Sequence, residues 1–404
     1  MSSNELYQSV PLGSEDIRLV TLLPGRRKDF IACELERKFL PRERGHSEKP
    51  NYTTLSYMWG NPRNPKCIQC NGFRLSVTRN LYSALLHLRD EHSKKVFWID
   101  AICIDQSSID ERNRQLQRMR EIYSQSAQTV TWLGDGSFFS RQGFKATSIL
   151  ADIMLRRTTP QPPSTSWLRR GVELCLYPVY ILVFMILLRR PYFTRIWIVQ
   201  EVALSQSLVV ACGDDTISFS DLALVAGIVS FWSEGKNVRN LSNILMVRAL
   251  MPNAIQNGTA DPSWLFDKAT SGKMKIDKDL LSLASLFRGN NSTDPKDKIY
   301  ALLGILEEVE GGETCRITPD YNLAVDQAYI QVAEAILKHQ RHLDLFGAIR
   351  YSPFRMRRKR HDLPSWVPDW SDTMSIAAPL SARLNNNNSS AGNTTHEFMT
   401  INET

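Results

Sequence analysis

The sequence predicts an α/β fold: a parallel-type sheet flanked by helices, followed by a mostly helical C-terminal extension. Three observations carry that expectation. Short runs of β-forming residues alternate with helical patterns through the first third of the chain. A helix between two apolar strands demands a crossover, which makes those strands parallel. From Asp294 onward the apolar spacing is that of helices.

The elements follow in order. Ile17 to Leu23 and Phe30 to Glu36 read as strands separated by Pro24-Gly25. Tyr52 to Trp59, rich in aromatic and hydroxyl β-formers, stops at Gly60-Asn61-Pro62. Cys67 to Cys70 and Phe73 to Val77 flank Asn71-Gly72, the dipeptide that a two-residue hairpin turn with two positive φ angles favours. Thr78 is placed to cap a helix carrying Leu81, Leu85 and Leu88 on one face. Val96 to Ile99 is an apolar strand ending at Asp100. Ser108 and Glu111 make a Ser-x-x-Glu capping box for a helix expected over 108–125. Thr129 to Leu133 is the next strand, closed by Gly134. After an insertion at about 135–190, Phe193 to Leu204 reads as a helix, Leu208 to Cys212 as a strand and Asp214-Asp215 as a turn. Asp294-Pro295 opens a helix through Ile305, and Ala324 to Lys338 is amphipathic. The expected organisation is an N-terminal arm (1–16), a first domain (17–232), a mostly helical extension (233–370) and a low-complexity tail (371–404).

Composition excludes several classes. The chain has 404 residues, is 43% hydrophobic and 23% charged, and carries a formal net charge of +7, which are globular proportions. The densest basic run, Arg355 to Arg360, has no aromatic interleaving, so nucleic acid is not an expected partner. Seven scattered cysteines do not form a disulfide framework. The N-terminus has no basic start followed by an apolar core, so the expected compartment is the cytoplasm. Cys67-x-x-Cys70 has metal-ligand spacing but no second Cys or His pair, so no metal is expected. No phosphate-binding glycine loop, Gly-x-Ser-x-Gly elbow or His-Glu-x-x-His is present, and no resident cofactor is expected. Cys103 reads as a buried structural thiol in preference to a protease nucleophile. Between Arg169-Arg170 and Arg189-Arg190 lie 17 residues, Val172 to Leu188, that are apolar apart from Glu173 near their start and include Pro178. A spanning helix needs roughly 20 apolar residues. The run therefore reads as a buried or surface-lying helix, with a membrane anchor as the alternative.

Six segments together are specific. YTTLSYMWG (52–60), FWIDAICIDQSSIDERNRQLQRMREIYSQSAQTVTWLG (97–134) and RPYFTRIWIVQEVALSQSLVVACG (190–213) resemble the three signature blocks of the fungal heterokaryon incompatibility (HET) domain. DPKDKIYALLGI (294–305), ITPDYNLAVDQAY (317–329) and LPSWVPDWS (363–371) resemble segments that usually follow it. Asp105 stands where the family usually has Asn, which questions any role for an amide donor there. The chain stops soon after the last segment, where many relatives continue, which is the pattern of a truncated or divergent member. The resemblance implies an effector of vegetative incompatibility that acts in non-self recognition and programmed cell death, with a protein partner that detects non-self.

The resemblance also directs attention to Glu201. HET domains have a proposed distant similarity to TIR domains, some of which cleave NAD with a helix glutamate in a Trp-x-x-x-Glu pattern. Trp197 and Glu201 have that spacing, and residues i and i+4 of a helix share a face. A carboxylate there can stabilise the oxocarbenium-like state in which the nicotinamide–ribose bond breaks. Asp100 ends an apolar strand, where open α/β sheets bind ligands. Arg195 can hold a pyrophosphate or Glu201 itself, and Tyr57 and Trp59 can line the same edge. The bland readings are a core Trp beside a salt-bridged Glu, a loop carboxylate at 100 and core aromatics at 57 and 59. Two functions follow. One is a nucleotide-cleaving effector with an NAD-like substrate and Glu201 as catalytic residue. The other is a non-enzymatic module that kills through oligomerisation or partner binding.

Overall fold

The computed structural model describes residues 3–42, 50–158, 167–230, 236–249, 279–306, 317–340, 343–349 and 363–372. Nine strands form one mixed sheet: β1 (Asp16–Leu22), β2 (Ala32–Phe39), β3 (Thr53–Tyr57), β4 (Lys66–Cys70), β5 (Phe73–Val77), β6 (Lys95–Trp98), β7 (Gln128–Trp132), β8 (Leu208–Cys212) and β9 (Asp215–Ser218). Their spatial order is β5-β4-β2-β1-β6-β3-β7-β8-β9. Helices α1 (Ser3–Ser9), α2 (Arg79–Leu88), α3 (Asp100–Cys103), α4 (Ile109–Leu116), α5 (Met119–Gln125), α6 (Phe138–Thr158), α7 (Trp167–Leu187), α8 (Ile198–Leu204) and α9 (Phe219–Ser230) belong to the sheet half of the chain. Then come α10 (Lys236–Ala249), α11 (Leu280–Leu286), α12 (Asp297–Leu306) and α13 (Val325–Gln340). The chain is thus α/β with a helical C-terminal part, the class its sequence predicts.

The parallel strands occupy the centre. β6 and β7 both run parallel to β3, and β8 runs parallel to β7. Numbered by chain order, these four strands stand 2-1-3-4, and the direction of winding reverses between β3 and β7. In open sheets wound this way, ligands bind beyond the carboxyl ends of the strands that flank the reversal. Here those ends are Tyr57 and Trp132, a register pair. Antiparallel strands flank the centre: β1 pairs with both β2 and β6, and β9 folds back on β8.

Local chemistry explains several elements. Asn71 and Gly72 both have positive φ (50° and 83°), closing the β4–β5 hairpin as the Asn-Gly signal requires. Thr78 caps α2 by accepting the Leu81 N–H at 3.3 Å. Ser108 caps α4 by accepting the Glu111 N–H at 3.2 Å, which is half of the expected capping box. The Glu111 carboxylate turns elsewhere. It accepts from both ends of the Arg18 guanidinium at 2.5 and 3.1 Å and from the Asp105 N–H at 2.6 Å, tying β1 to α4 through a buried ion pair. The single helix expected over 108–125 is broken at Gln117 and Arg118 into α4 and α5. The helix expected over 193–204 is a 3-10 turn, Pro191–Thr194, followed by α8. The Asp214-Asp215 turn leads into β9, a strand the sequence pattern did not indicate.

Between β7 and β8 the chain inserts a pair of helices, α6 and α7. Gly143 lets them close together, since a Cβ there would sit 3.0 Å from the Leu187 Cβ. Leu176, Val179 and Leu182 of α7 are exposed while Phe184 and Leu187 are buried, so this apolar helix lies partly on the surface. Among the described residues, no helix is long and apolar enough to cross a membrane. The basic run at 355–360, most of the Pro-rich stretch and the low-complexity tail lie outside the described residues.

Candidate functional site

The face of β3 and β7 that meets α8 is lined with hydroxyls. Thr54 pairs in register with Thr129, and Ser56 with Thr131. Alternation along a strand puts all four on one face, and all are at most 1% exposed. A buried hydroxyl without a partner costs about 1–3 kcal/mol, and these find partners in two chains. In the first, Thr54 Oγ1 lies 2.6 Å from Thr129 Oγ1, and Thr129 Oγ1 lies 2.5 Å from Ser205 Oγ. Ser205, the residue after α8, donates to the Glu201 carbonyl.

The second chain ends on the Glu201 side chain. Thr131 Oγ1 lies 3.2 Å from the Tyr192 hydroxyl, Tyr192 lies 2.7 Å from Ser56 Oγ, and Ser56 donates to Glu201 Oε2. Each hydroxyl has one proton. Because Ser56 spends its proton on Glu201, it must accept from Tyr192, and Tyr192 must accept from Thr131. The three donors therefore point one way, towards the carboxylate.

Glu201 is 3% exposed. Burial raises its pKa to about 7, against the opposing pull of Arg195 and the Ser56 hydrogen bond; Asp100 pushes it up further. Arg195 is half-buried and donates from Nη1 to the Tyr57 carbonyl at the end of β3. Burial works against its charge, but Glu201 and Asp100 outweigh that and hold it protonated. Asp100 sits at the start of α3, beyond the carboxyl end of β6. It accepts from the Trp59 indole at 2.7 Å and the Ala101 N–H at 2.7 Å. Burial raises its pKa, and Arg195 opposes this. The Tyr57 hydroxyl faces Asp100, close enough to act on its charge but outside hydrogen-bond geometry. Tyr57 is buried, whereas Trp59 is 39% exposed and forms the outer surface of the cluster.

Five of the six residues singled out from sequence therefore gather at one place: Glu201, Arg195, Asp100, Tyr57 and Trp59. Trp197 is engaged elsewhere. It precedes the first residue of α8, and its indole lies against Asp297 of α12. Asp297 also accepts from the Tyr321 hydroxyl, and burial raises its pKa to about 6. Arg112, Gln115 and Asp105 have structural partners. Arg112 lies 4.8 Å from the centre of the Tyr321 ring, and Gln115 donates to the Asp16 carbonyl at 3.0 Å. Asp105 accepts from the Ser107 N–H and hydroxyl at 3.0 and 2.6 Å, contacts that need no amide donor. Cys103 is fully buried, which raises its thiol pKa to about 12. Cys67 and Cys70 lie in β4, and Cys70 is the register partner of Cys33 in β2.

Sequence reasoning missed Ser56, Thr131 and Tyr192. A signal existed: hydroxyls at every second position of two strands, Thr54/Ser56 and Thr129/Thr131, where a buried strand ordinarily carries aliphatics.

Burial can hold a proton at Glu201 near neutral pH, and the Arg195 charge acts on both Glu201 and Asp100 near the carboxyl ends of the strands where the winding reverses. Comparison with known proteins points to a family. A family model described as Heterokaryon incompatibility protein (HET) matches residues 52–201, a segment that contains the whole cluster and ends on Glu201. The chain is 28% identical to Heterokaryon incompatibility protein 6, OR allele, of Neurospora crassa, an alignment covering 90% of this chain and 59% of that protein. This chain thus spans about three fifths of its relative's length. No solved structure matches. Residues 52–201 thus match the heterokaryon incompatibility (HET) family model, and the chain as a whole is similar to a protein of that name.

Proposed function

We propose that this protein is an effector of heterokaryon incompatibility, acting in the cytoplasm in non-self recognition and programmed cell death, and that it acts by cleaving NAD. The similarity to an incompatibility protein over 90% of the chain supports the biological role. The observation that carries the chemistry is Glu201, a buried carboxylate with its pKa near 7, on which the charges of Arg195 and Asp100 act near the carboxyl ends of the central strands. A dinucleotide in this crevice would stack against Trp59 and place its pyrophosphate near Arg195. In the reaction water attacks the ribose carbon as the nicotinamide–ribose bond breaks, giving nicotinamide, ADP-ribose and a proton. Glu201 stabilises the cationic ribose and takes the proton from water.

A second reading is favoured by one observation. At 3% exposure the Glu201 carboxylate is already satisfied by Ser56, as a structural core glutamate would be. The domain would then kill by oligomerisation or by binding a partner protein, without chemistry.

Incubating the purified chain with NAD and measuring released nicotinamide separates the two. The enzymatic reading expects release that falls by about 10²–10³ in Glu201→Gln. Equal background from both proteins, in the presence of the partner that triggers death, leaves the binding-module reading.

A further inference from the structure

The DPKDKIY segment, residues 294–300, lies outside the segment 52–201 that matches the family model, and the chemistry above does not use it. Three of its four charged residues are nonetheless buried: Lys296, Asp297 and Lys298 are at most 8% exposed. Buried charges persist only when paired or hydrogen-bonded, and each here has a specific partner. Lys296 donates to the carbonyls of Tyr321 and Leu323 at 3.0 and 2.8 Å. Asp297 accepts from the Tyr321 hydroxyl and lies near the Trp197 indole. Lys298 donates to the carbonyls of Arg288 and Asn290.

Those bonds lead back to the cluster. Asn290, fully buried, donates from Nδ2 to the Arg195 carbonyl at 3.1 Å. The Asn291 N–H donates to the Thr194 carbonyl at 2.5 Å, and the Ile196 N–H donates to the Asn291 carbonyl at 2.9 Å. Arg195 and Asn291 form a parallel β-bridge. Arg195 is therefore held on both sides of its own backbone by residues nearly a hundred positions later. Trp197, two residues on, lies near Asp297.

We propose that residues 290–300 are the positioning element of the site. Asn290 and Asn291 fix the backbone that carries Arg195, so the segment 52–201 completes its site only with the C-terminal extension packed against it. The functional meaning rests on the reading of Glu201 and Arg195 given above, but the test does not.

The test titrates Glu201 in the full chain, from its side-chain ¹³C resonance, assigned by its loss in Glu201→Gln. The ionisable groups that face Glu201 are Arg195, Asp100, Tyr192 and Tyr123, and Arg195 lowers its pKa. Asn290→Ala and Asn291→Pro change no charge, and they meet Arg195 only through its backbone. Letting Arg195 drift should raise the Glu201 midpoint by about one pH unit. A folded variant with an unmoved midpoint overturns the proposal. Hydrogen exchange in the unaltered chain needs no variant: the Ile196 and Asn291 amides should be as protected as those of β7, and rapid exchange at either overturns it. Both readouts are independent of NAD and of killing, so they stand if Glu201→Gln proves active.

Discussion

Ser56 of β3 donates its hydroxyl proton to Glu201 of α8, joining one of the central parallel strands to the helix that covers it. The bond has a fixed direction, because Tyr192 and Thr131 supply the protons behind it. Ser56→Ala should therefore do two things. Leaving buried partners unsatisfied should cost about 1–3 kcal/mol, read from denaturant unfolding. The Glu201 midpoint should also rise above about 7, since the Ser56 bond favours the ionised form. A variant with lowered stability but an unchanged midpoint would mean that the hydroxyl does not act on the carboxylate.

Glu201 also sets a pH dependence whose sign is opposite to that of most carboxylates. Its pKa rises from 4.5 to about 7 on folding, so between those values the folded state binds more protons than the unfolded one. Its contribution favours the folded state below about pH 4.5 and is lost as pH rises through about 7. The full difference is on the order of 3 kcal/mol. Glu201→Gln removes the titration. It should be more stable than the unaltered chain at pH 8, with the gap closing towards pH 5. Parallel stability curves for the two proteins would show that Glu201 is not perturbed.

The Arg18–Glu111 pair is the structural counterpart, with both side chains at most 9% exposed. Glu111→Ala strands the Arg18 charge in the core and frees the Asp105 N–H. Removing one partner of a buried pair costs about 3–5 kcal/mol, so a large fall in melting temperature is expected. Retention of the original melting temperature would mean that Arg18 finds water or a new partner.

The apolar helix α7 should not insert stably in a bilayer. It contains Pro178, and its apolar run of 17 residues, with the charged Glu173 near its start, is shorter than the roughly 20 apolar residues a spanning helix needs. Carbonate washing should release the full chain from cell membranes. Resistance to carbonate that disappears on deleting 172–188 would contradict this.

Much of the architecture could be read from local patterns. Apolar runs bounded by Gly, Pro or Asn located the central strands, and Asn71-Gly72 located a hairpin, because turn geometry is a property of those two residues alone. Pairing partners were not legible. Nothing local tells β1 to sit between β2 and β6, and β9 is only four residues long. The break at Gln117 and Arg118 was hidden because both residues favour helix; Arg118 instead donates to the Leu40 carbonyl. At the site, helical spacing drew attention to Glu201 but set Trp197 beside it. A large side chain at the cap position meets whatever packs on the helix end, and that is α12, a hundred residues away in sequence. Asp297 and Asn290 could be found only once the chain was folded.

The proposed role of the Glu201 carboxylate in killing has a direct test. The direct measurement is survival of fungal cells expressing the full chain or Glu201→Gln at matched levels, with folding of both checked by their melting curves. If Glu201 is the catalytic group, the unaltered chain kills and depletes NAD, while Glu201→Gln folds, leaves NAD intact and spares the cells. Equal killing by a folded Glu201→Gln would contradict the enzymatic reading.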